Sequence, residues 1–362
     1  MGSITRLSMP KWGLAMTEGK VASWLKPVGS MVAVGDELIE IETSKITNVL
    51  EAPAAGILRR HAVEAGETLP VGALLGLIAD ADADDATLDA AVAEAQAEAA
   101  AMASAPPPPE PVLVEAEGWT VRALSMGEGT ATPILMIHGF GGDLLSWQFN
   151  QAALATDRRV VSIDLPGHGG SSKAVPDPSV FGLATMVASA MRALDLAPAH
   201  VVGQSMGGAI ALTLAREYPE LVASVTLVCP AGLGDEVSMA YIDGFLTAER
   251  PRAMRPVLEM LFADPAMVGR EMIEDILRAK RLDGAMDALR AISAAAFPGG
   301  KQVRVDPAVA AKVQAIWGAE DRVLPASHAA AVADHVVIAG AGHMVHIEKP
   351  DVVNARILAF LA

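Results

Sequence analysis

The stretch that decides the fold is residues 200–208, which read His-Val-Val-Gly-Gln-Ser-Met-Gly-Gly. The apolar run at 200–203 is typical of a buried strand, and the pattern at 206–218 is that of a helix. Ser205 therefore occupies a tight strand-to-helix turn, and the glycines around it leave room for that turn. A serine in this setting projects from the carboxyl end of its strand. We expect a nucleophile here, with an ordinary helix-capping serine as the alternative.

Short apolar runs alternate with helical patterns on both sides of this stretch. The predicted strands are 133–138, 160–164, 200–203, 224–229, 313–317 and 335–338. Such alternation predicts a mostly parallel sheet with helices on both faces. Residues from about 232 to 300 interrupt the rhythm and contain six methionines, so we predict a helical cap there. The methionines either line an acyl pocket or form ordinary helix core.

A serine hydroxyl is a weak nucleophile without a base, and in this architecture the chain order is serine, acid, histidine. His343 follows the last predicted strand in a Gly-Ala-Gly-His loop and is the expected base. His346 suits a helix face instead, and His328 and His335 are expected at the surface.

The acid should orient the imidazole and stabilise its charged form. Asp321 follows the strand at 313–317 and is the expected acid, whereas its neighbour Glu320 should point elsewhere. Asp235, which follows an earlier strand, is the alternative.

Acyl transfer also needs donors for a developing oxyanion. The expected donors are the backbone N–H of Met206, directly after the serine, and that of Phe140 in the glycine-rich loop 138–142.

These motifs, together with Asp-Leu-Pro-Gly-His-Gly-Gly-Ser at 164–171, resemble the α/β-hydrolase superfamily from about residue 112 to the end. The resemblance implies that fold and a serine–histidine–acid apparatus. It does not identify the substrate, because esterases, lipases and carbon–carbon hydrolases share these features.

The first 79 residues contain an internal repeat with an offset of 37. The matched pairs are Gly19 with Gly56, Gly29 with Gly66, Gly35 with Gly72, Val34 with Val71, Leu38 with Leu75 and Ile41 with Ile78. Glycines at fixed spacing with β-branched stretches between them predict two copies of a four-strand motif. The copies meet at residues 42–46, so Lys45 should lie on a protruding turn.

This arrangement resembles the lipoyl domains over residues 1–79 and implies a small all-β flattened barrel. In that family the lysine matching Lys45 is amidated by lipoic acid. Biotin carriers share the fold, but their lysine normally stands between two methionines. Here Ser44 and Ile46 flank Lys45, which favours lipoate. An ordinary solvated lysine is the remaining alternative.

Residues 80–111 carry eight acidic residues and no lysine or arginine, and prolines at 106–109 stand near their end. We predict a linker with a transient helix over 86–103, with an acidic helix packed on a domain as the alternative. The expected organisation is multidomain: a lipoyl domain at 1–79, a linker at 80–111 and an α/β-hydrolase domain at 112–362.

Composition excludes several other classes of protein. A formal charge of −16 over 362 residues argues against nucleic-acid binding. A single cysteine, Cys229, excludes an internal disulfide framework and a cysteine-rich zinc site, and we predict no metal. The first residues have no apolar stretch typical of a secretory signal, and no run suits a membrane span. We therefore expect a cytoplasmic protein that contacts neither nucleic acid nor membrane.

The combination of the two domains resembles the dihydrolipoamide acetyltransferases (E2) of acetoin-cleaving dehydrogenase complexes. The His-x-x-x-Asp-Gly motif of ordinary E2 cores follows none of the eight histidines. The resemblance implies acetyl transfer from S-acetyl-dihydrolipoyl-lysine to coenzyme A through a serine acyl-enzyme, in acetoin catabolism. It also implies a thiamine-dependent E1, a flavin-dependent E3, a lipoylating enzyme and a homo-oligomer. The alternatives are a serine esterase or thioesterase tethered to a lipoyl domain, and a lipoyl carrier with an inactive hydrolase domain.

Overall fold

The structure is a computed structural model that describes residues 4–10, 18–43, 47–104 and 109–361. The chain divides into two compact units, Met1–Pro108 and Pro109–Ala362, here called the first unit and the second unit.

The first unit consists of two four-stranded antiparallel sheets and one helix. In chain order its elements are β1 (Ile4–Ser8), β2 (Glu18–Trp24), β3 (Met31–Val32), β4 (Glu37–Glu42), β5 (Thr47–Glu51), β6 (Gly56–His61), β7 (Thr68–Pro70), β8 (Leu74–Ala79) and α1 (Asp85–Ser104). The strand orders are β1-β8-β6-β3 and β5-β4-β2-β7. Exchanging β1–β4 with β5–β8 converts one order into the other, which is the two-fold relation that the repeat predicts.

The core of this unit lies between the two sheets. Leu38 and Ile41 of β4 and their repeat partners Leu75 and Ile78 of β8 all point into it and are fully or almost fully buried. The pairing of each strand shifts register, at residues 37–39 of β4 and 74–76 of β8, and this irregularity lets residues three apart face the core together. The repeat in the sequence therefore places matched residues at equivalent positions in the core.

The outer faces of the two matched strands differ, and this difference places α1. The outward residues of β4 are Glu37, Glu40 and Glu42, whereas the matched residues of β8 are Leu74, Leu77 and Ala79. Leu88 and Ala95 of α1 cover the apolar face of β8.

Ion pairs flank the contact between α1 and the sheet. The Arg60 guanidinium lies 2.8 Å from Asp85 and 3.0 Å from Asp89, and Arg6 lies 2.7 Å from Glu94. Most of the expected linker at 80–111 is thus a helix, and it corresponds to the packed-helix alternative. Small alanines suffice for packing because the strand supplies the large side chains.

The second unit contains one eight-stranded sheet with helices around it. Its strands are β9 (Val112–Ala116), β10 (Trp119–Met126), β11 (Ile134–Ile137), β12 (Val160–Ile163), β13 (Ala199–Gln204), β14 (Val222–Val228), β15 (Lys312–Gly318) and β16 (Asp334–Ile338). Its helices are α2 (Gln151–Leu154), α3 (Val180–Ala193), α4 (Met206–Glu217), α5 (Met239–Thr247), α6 (Pro251–Glu259), α7 (Arg270–Lys280), α8 (Ala285–Ala296), α9 (Val345–Glu348) and α10 (Pro350–Leu361).

The strand order in this sheet is β16-β15-β14-β13-β11-β12-β10-β9. The strands from β11 to β16 run parallel, and β10 is antiparallel to both of its neighbours. The predicted α/β-hydrolase fold is confirmed. Loops after adjacent parallel strands meet at one edge of the sheet, which brings together residues far apart in sequence.

The four helices α5–α8 fill the interval predicted to be a cap. Met254 is fully buried, whereas Met239, Met260, Met272 and Met286 are partly buried against the core. Met267, by contrast, is 39% exposed, so five of the six methionines behave as core residues. Among the helices that the structure describes, none has both the length and the apolar character needed to cross a bilayer.

Candidate active site

Ser205 occupies the sharp turn between β13 and α4. Its backbone has φ +53° and ψ −121°, a strained conformation for a residue with a side chain. A Cβ on Gly203 would lie 2.3 Å from the Gly207 carbonyl oxygen, so the turn requires a glycine at 203. The Ser205 N–H donates to the Val228 carbonyl at 3.0 Å, which ties the turn to the end of β14. The local sequence thus holds the serine at the carboxyl edge of the sheet.

The structure brings His343 and Asp321 into direct contact at the same edge. The His343 Nδ1 atom lies 2.8 Å from Oδ2 of Asp321, and both side chains are buried. Asp321 follows β15 and His343 follows β16, so adjacent parallel strands deliver the pair. A carboxylate on Nδ1 leaves Nε2 of His343 as the nitrogen that can accept a proton.

The Asp321 carboxylate is held ionised by several donors. Burial by itself would raise its pKa, but the charge and hydrogen bond of His343 and the backbone amides of Leu324 and Val323 outweigh burial. The pKa of Asp321 therefore lies below its ordinary value. Oδ1 accepts from these two amides at 2.9 and 2.8 Å, and Trp317 Nε1 donates to Oδ2 at 3.0 Å.

Two glutamates that no sequence motif marks as site residues fix the His343 loop. Glu320 accepts from the N–H groups of Gly340 and Ala341, at 3.2 and 3.0 Å, and Glu348 accepts from that of Gly342 at 2.6 Å. The hydrogen bonds from the Gly340 and Ala341 backbone amides lower the pKa of Glu320, so its carboxylate remains charged. Three successive amides before the histidine are thereby anchored. The only sequence signal was the position of Glu320 beside Asp321; Glu348 had none.

The hydrogen bond expected between the Ser205 hydroxyl and the His343 ring is not formed in this structure. Within the described residues, no hydrogen bond joins the Ser205 hydroxyl to the His343 ring. Their loops are nonetheless neighbours, because Gln204 Nε2 lies 3.4 Å from the His343 carbonyl oxygen. Catalytic hydrogen bonds are often long before substrate binds. Assignment of Ser205, His343 and Asp321 as a working triad therefore stays a prediction.

The expected oxyanion loop lies directly beside the serine. A Cβ on Gly139 would lie 2.8 Å from the Ser205 Cβ atom, so the loop backbone passes against the Ser205 side chain. The Gly141 N–H donates to His168 Nε2 at 3.1 Å. Burial, with His138 nearby, lowers the pKa of His168 to about 3, so this ring is neutral and can accept. Among the described residues, none accepts a hydrogen bond from the Phe140 N–H.

Met206 is the second expected donor and is the first residue of α4. The N–H groups in the first turn of a helix have no intrahelical acceptor, so that of Met206 is available. Phe140 and Met206 thus remain the predicted oxyanion donors.

The alternative site residues are engaged elsewhere. Asp235 forms ion pairs with Arg304 at 3.5 Å and Lys301 at 3.6 Å, beside a surface cavity of about 320 Å³.

His346 is buried in the first turn of α9, as its spacing predicts. His328 was expected at the surface, but it is largely buried and bonds Glu236 at 2.8 Å.

Cys229 offers the one close group of metal-type donors found in the described part of the chain. Its Sγ atom and the side-chain donors of Asp321 and His343 lie within 4.8 Å of one another. Burial, followed by the charge of Asp321, raises the pKa of the Cys229 thiol, so it stays protonated. A protonated thiol is a poor metal ligand. The group therefore suits packing behind the pair better than metal binding.

Lys45 lies outside the described residues, but the strands on either side of it are described. Glu42 pairs with Thr47 at the end of the β4–β5 hairpin, and both residues are exposed. Lys45 falls between these two positions in the sequence. An exposed hairpin end is what a modifying enzyme needs to reach, so the neighbourhood fits a covalently attached group.

The stability of the second unit should depend on pH through His168 and His346. Burial, with the charge of His343, lowers the pKa of His346 to about 3. Burial, with His138 nearby, lowers the pKa of His168 to about the same value. An unfolded histidine has a pKa of about 6.5. Unfolding between pH 6.5 and pH 3 therefore takes up a proton at each ring. The stabilisation is fully present above pH 6.5 and is lost as the pH falls towards 3.

We expect each histidine to lower the free energy of unfolding by about 1.4 kcal/mol per pH unit in that interval. Urea unfolding at a series of pH values measures the slope. The variant His346→Phe should reduce it by one proton, whereas the control His335→Gln, at an exposed position, should not. A slope that His346→Phe leaves unchanged would contradict the assignment.

Comparisons with known proteins agree with both units. The profile of the family described as "alpha/beta hydrolase fold" matches residues 132–350, and that of the family described as "Biotin-requiring enzyme", a biotin/lipoyl profile, matches residues 5–78. A solved meta-cleavage product hydrolase from Pseudomonas fluorescens is similar in fold. Its TM-score is 0.62 at 24% identity, over 69% of this chain and 96% of that one.

Two curated relatives match the whole chain. Each is named "Dihydrolipoyllysine-residue acetyltransferase component of acetoin cleaving system". The protein from Pseudomonas putida is 43% identical over 100% of this chain and 99% of its own length. That from Cupriavidus necator is 43% identical over 98% of this chain and 96% of its own length. The chain therefore belongs to the family of dihydrolipoyllysine-residue acetyltransferase components of acetoin cleaving systems.

Proposed function

We propose that the protein transfers an acetyl group from a lipoyl thioester to coenzyme A through an acetyl-serine at Ser205, within an acetoin-cleaving complex. The observation that carries the proposal is the buried Asp321–His343 pair on the loops beside the Ser205 turn. Full-length similarity to the acetoin-cleaving family supports acetyl as the group transferred.

In the first step the Ser205 oxygen attacks the carbonyl carbon of the acetyl thioester, and His343 Nε2 takes the serine proton. The Asp321 carboxylate stabilises the imidazolium that forms. The N–H groups of Phe140 and Met206 bind the oxyanion. Collapse breaks the carbon–sulfur bond, and His343 returns its proton to the departing thiolate. The product is an acetyl ester of Ser205.

In the second step the thiol of coenzyme A gives its proton to His343, and its sulfur attacks the acetyl ester. The same two amides bind the second oxyanion. Collapse breaks the bond to Ser205, whose oxygen regains a proton from His343. The sum exchanges one thioester for another, so no oxidant or reductant is consumed.

We also propose Lys45 as the attachment site of the lipoyl group. When bound there, that group supplies the thiol that carries acetyl as a thioester. This places the first unit as the acyl carrier and the second unit as the acyltransferase. The domain organisation, with a lipoyl domain at 1–79 and a catalytic domain at 112–362, is part of the proposal. So are thiamine-dependent E1, flavin-dependent E3, a lipoylating enzyme and a homo-oligomer as partners, and a cytoplasmic location.

The test is to give the full-length protein S-acetyl-dihydrolipoamide with and without coenzyme A, and to measure acetyl-coenzyme A and free acetate. We expect acetyl-coenzyme A to be the main product. Free acetate formed at the same rate without coenzyme A would instead identify a thioesterase, the second candidate function, which the hydrolase fold of the structural relative favours. No reaction with any thioester would identify a carrier.

A further inference from the structure

The side chain of Phe140 belongs to a buried aromatic cluster that also involves the cap. Its ring centroid lies 5.7 Å from that of Phe245 on α5, 6.3 Å from that of Phe297 at the end of α8, and 6.3 Å from that of His168. All three phenylalanines are less than 8% exposed. The residue expected to donate to the oxyanion therefore packs against two cap side chains.

Phe245 presses directly on the oxyanion loop. A Cβ on Gly141 would lie 2.3 Å from Cζ of Phe245 and 2.6 Å from its Cε1 atom. The ring therefore occupies the space beside the Gly141 backbone, one residue beyond the Phe140 N–H. The Gly141 N–H donates a hydrogen bond to Nε2 of His168. The histidine and the phenylalanine therefore both contact the loop at Gly141.

A buried lysine contacts both the backbone and the ring of Phe245. The Lys280 ammonium, on α7, donates to the Phe245 carbonyl and, at 2.6 Å, to that of Ala248. The same ammonium lies 5.3 Å from the centroid of the Phe245 ring. It thus interacts with both the backbone and the side chain of one residue, at the carboxyl end of α5, where cations are favourable.

The environment of Lys280 is unusual for a lysine. The residue is only 8% exposed, and within the described chain no carboxylate lies within ion-pair distance of its ammonium. Burial lowers its pKa. Burying an ammonium costs free energy, and the hydrogen bonds to two carbonyl groups and the contact with the Phe245 ring offset that cost. Its contacts are to the end of α5 that carries Phe245.

We propose that Phe245, positioned by Lys280, forms the wall of the acyl pocket beside Phe140 and restricts the acyl group to short chains such as acetyl. This inference rests on the proposed function and adds a specificity determinant to the same site. An acyl group whose oxygen is bound by the Phe140 N–H has its substituent close to this aromatic cluster. A ring fixed at that position would shorten the space open to the acyl chain and so favour a methyl group over a longer chain.

The experiment compares acylation of Ser205 by p-nitrophenyl acetate, butanoate and hexanoate in the full-length protein, without coenzyme A. The readout is the ratio of kcat/KM for hexanoate to that for acetate. This ratio is unaffected by the fraction of active enzyme. One methylene in an apolar pocket is typically worth about 10- to 200-fold. We expect Phe245→Ala to raise the ratio by about 10- to 100-fold, and Phe245→Leu, a milder change, to raise it less.

Lys280→Met keeps the apolar stem of the side chain and removes the ammonium, so it tests positioning. We expect the ratio to move in the same direction by about 3- to 10-fold, because the ring loses its fixed place. Matched controls are Phe181→Ala, at a position 52% exposed, and Lys301→Met, at an exposed ion pair; neither should change the ratio.

A ratio that stays within about twofold of the wild type in both Phe245 variants would overturn the inference. The outcome is separable from that of the proposed function. A shifted ratio in an enzyme that does not pass acetyl to coenzyme A would uphold the acyl wall and refute the transfer. Wild-type ratios in an enzyme that forms acetyl-coenzyme A would do the reverse.

Discussion

Ser205→Ala is expected to lower the rate of acetyl-coenzyme A formation from S-acetyl-dihydrolipoamide by about a million-fold, the loss typical of a triad serine. Without the hydroxyl no acetyl-serine forms, and the Asp321–His343 pair has no nucleophile to activate. The residual rate should come from the oxyanion donors alone. The measurement is the initial rate of acetyl-coenzyme A formation, with an unfolding curve to show that the variant folds.

A fluorophosphonate probe supplies an independent readout for the same prediction. It should label the wild-type protein on Ser205 and leave the variant unlabelled. Ser327→Ala, at an exposed serine, is the matched control and should keep both the rate and the labelling. A Ser205→Ala protein with more than a tenth of the wild-type rate would show that transfer bypasses the serine.

Lys45→Arg is expected to abolish the complete reaction that starts from the E1 component. Arginine keeps the charge of the lysine but has no primary amine for an amide bond, so no lipoyl group can be attached. Intact mass should show the gain of one lipoyl amide in the wild type and none in the variant. Acetyl transfer from free S-acetyl-dihydrolipoamide should be unchanged, because the second unit is untouched.

The control for this prediction is Lys20→Arg, in the same unit, which keeps the charge of an ion pair with Glu42 at 3.8 Å. It should retain both the lipoyl group and the complete reaction. A lipoyl mass gain that persists in Lys45→Arg would place the attachment on another lysine. Loss of transfer from the free substrate in that variant would show that Lys45 also acts in the second unit.

The parts of this molecule that sequence predicts well are those encoded by neighbouring residues. The turn at Ser205 is one of these, because Gly203 and Gly207 stand beside it in the sequence. His343 and Asp321 follow strands that are recognisable as short apolar runs, and parallel strands deliver their ends to one edge. The predicted strands agree with the observed ones to within about two residues. The antiparallel strands β9 and β10 were not predicted, since their runs contain charged and polar residues.

The parts that sequence missed depend on contacts between distant segments. No local pattern shows that Lys280 binds the Phe245 carbonyl, or that Glu348 binds the Gly342 amide. The packing of α1 did have a sequence signal, but that signal lies in β8, the strand that α1 covers. Residues 74–79 contain no polar side chain, although their repeat partners in β4 alternate with glutamates. A strand that is apolar on both faces needs a cover on each.

The exchange of strands between the two sheets of the first unit has a consequence for folding. Each sheet takes β-strands from both halves of the repeat, so neither half can complete a sheet by itself. When a ribosome has released only the first forty-odd residues, β4 has emerged but its partner β5 has not. Consolidation must wait for the second half to emerge, and a truncated half would find its missing strands only in another molecule, by domain swapping.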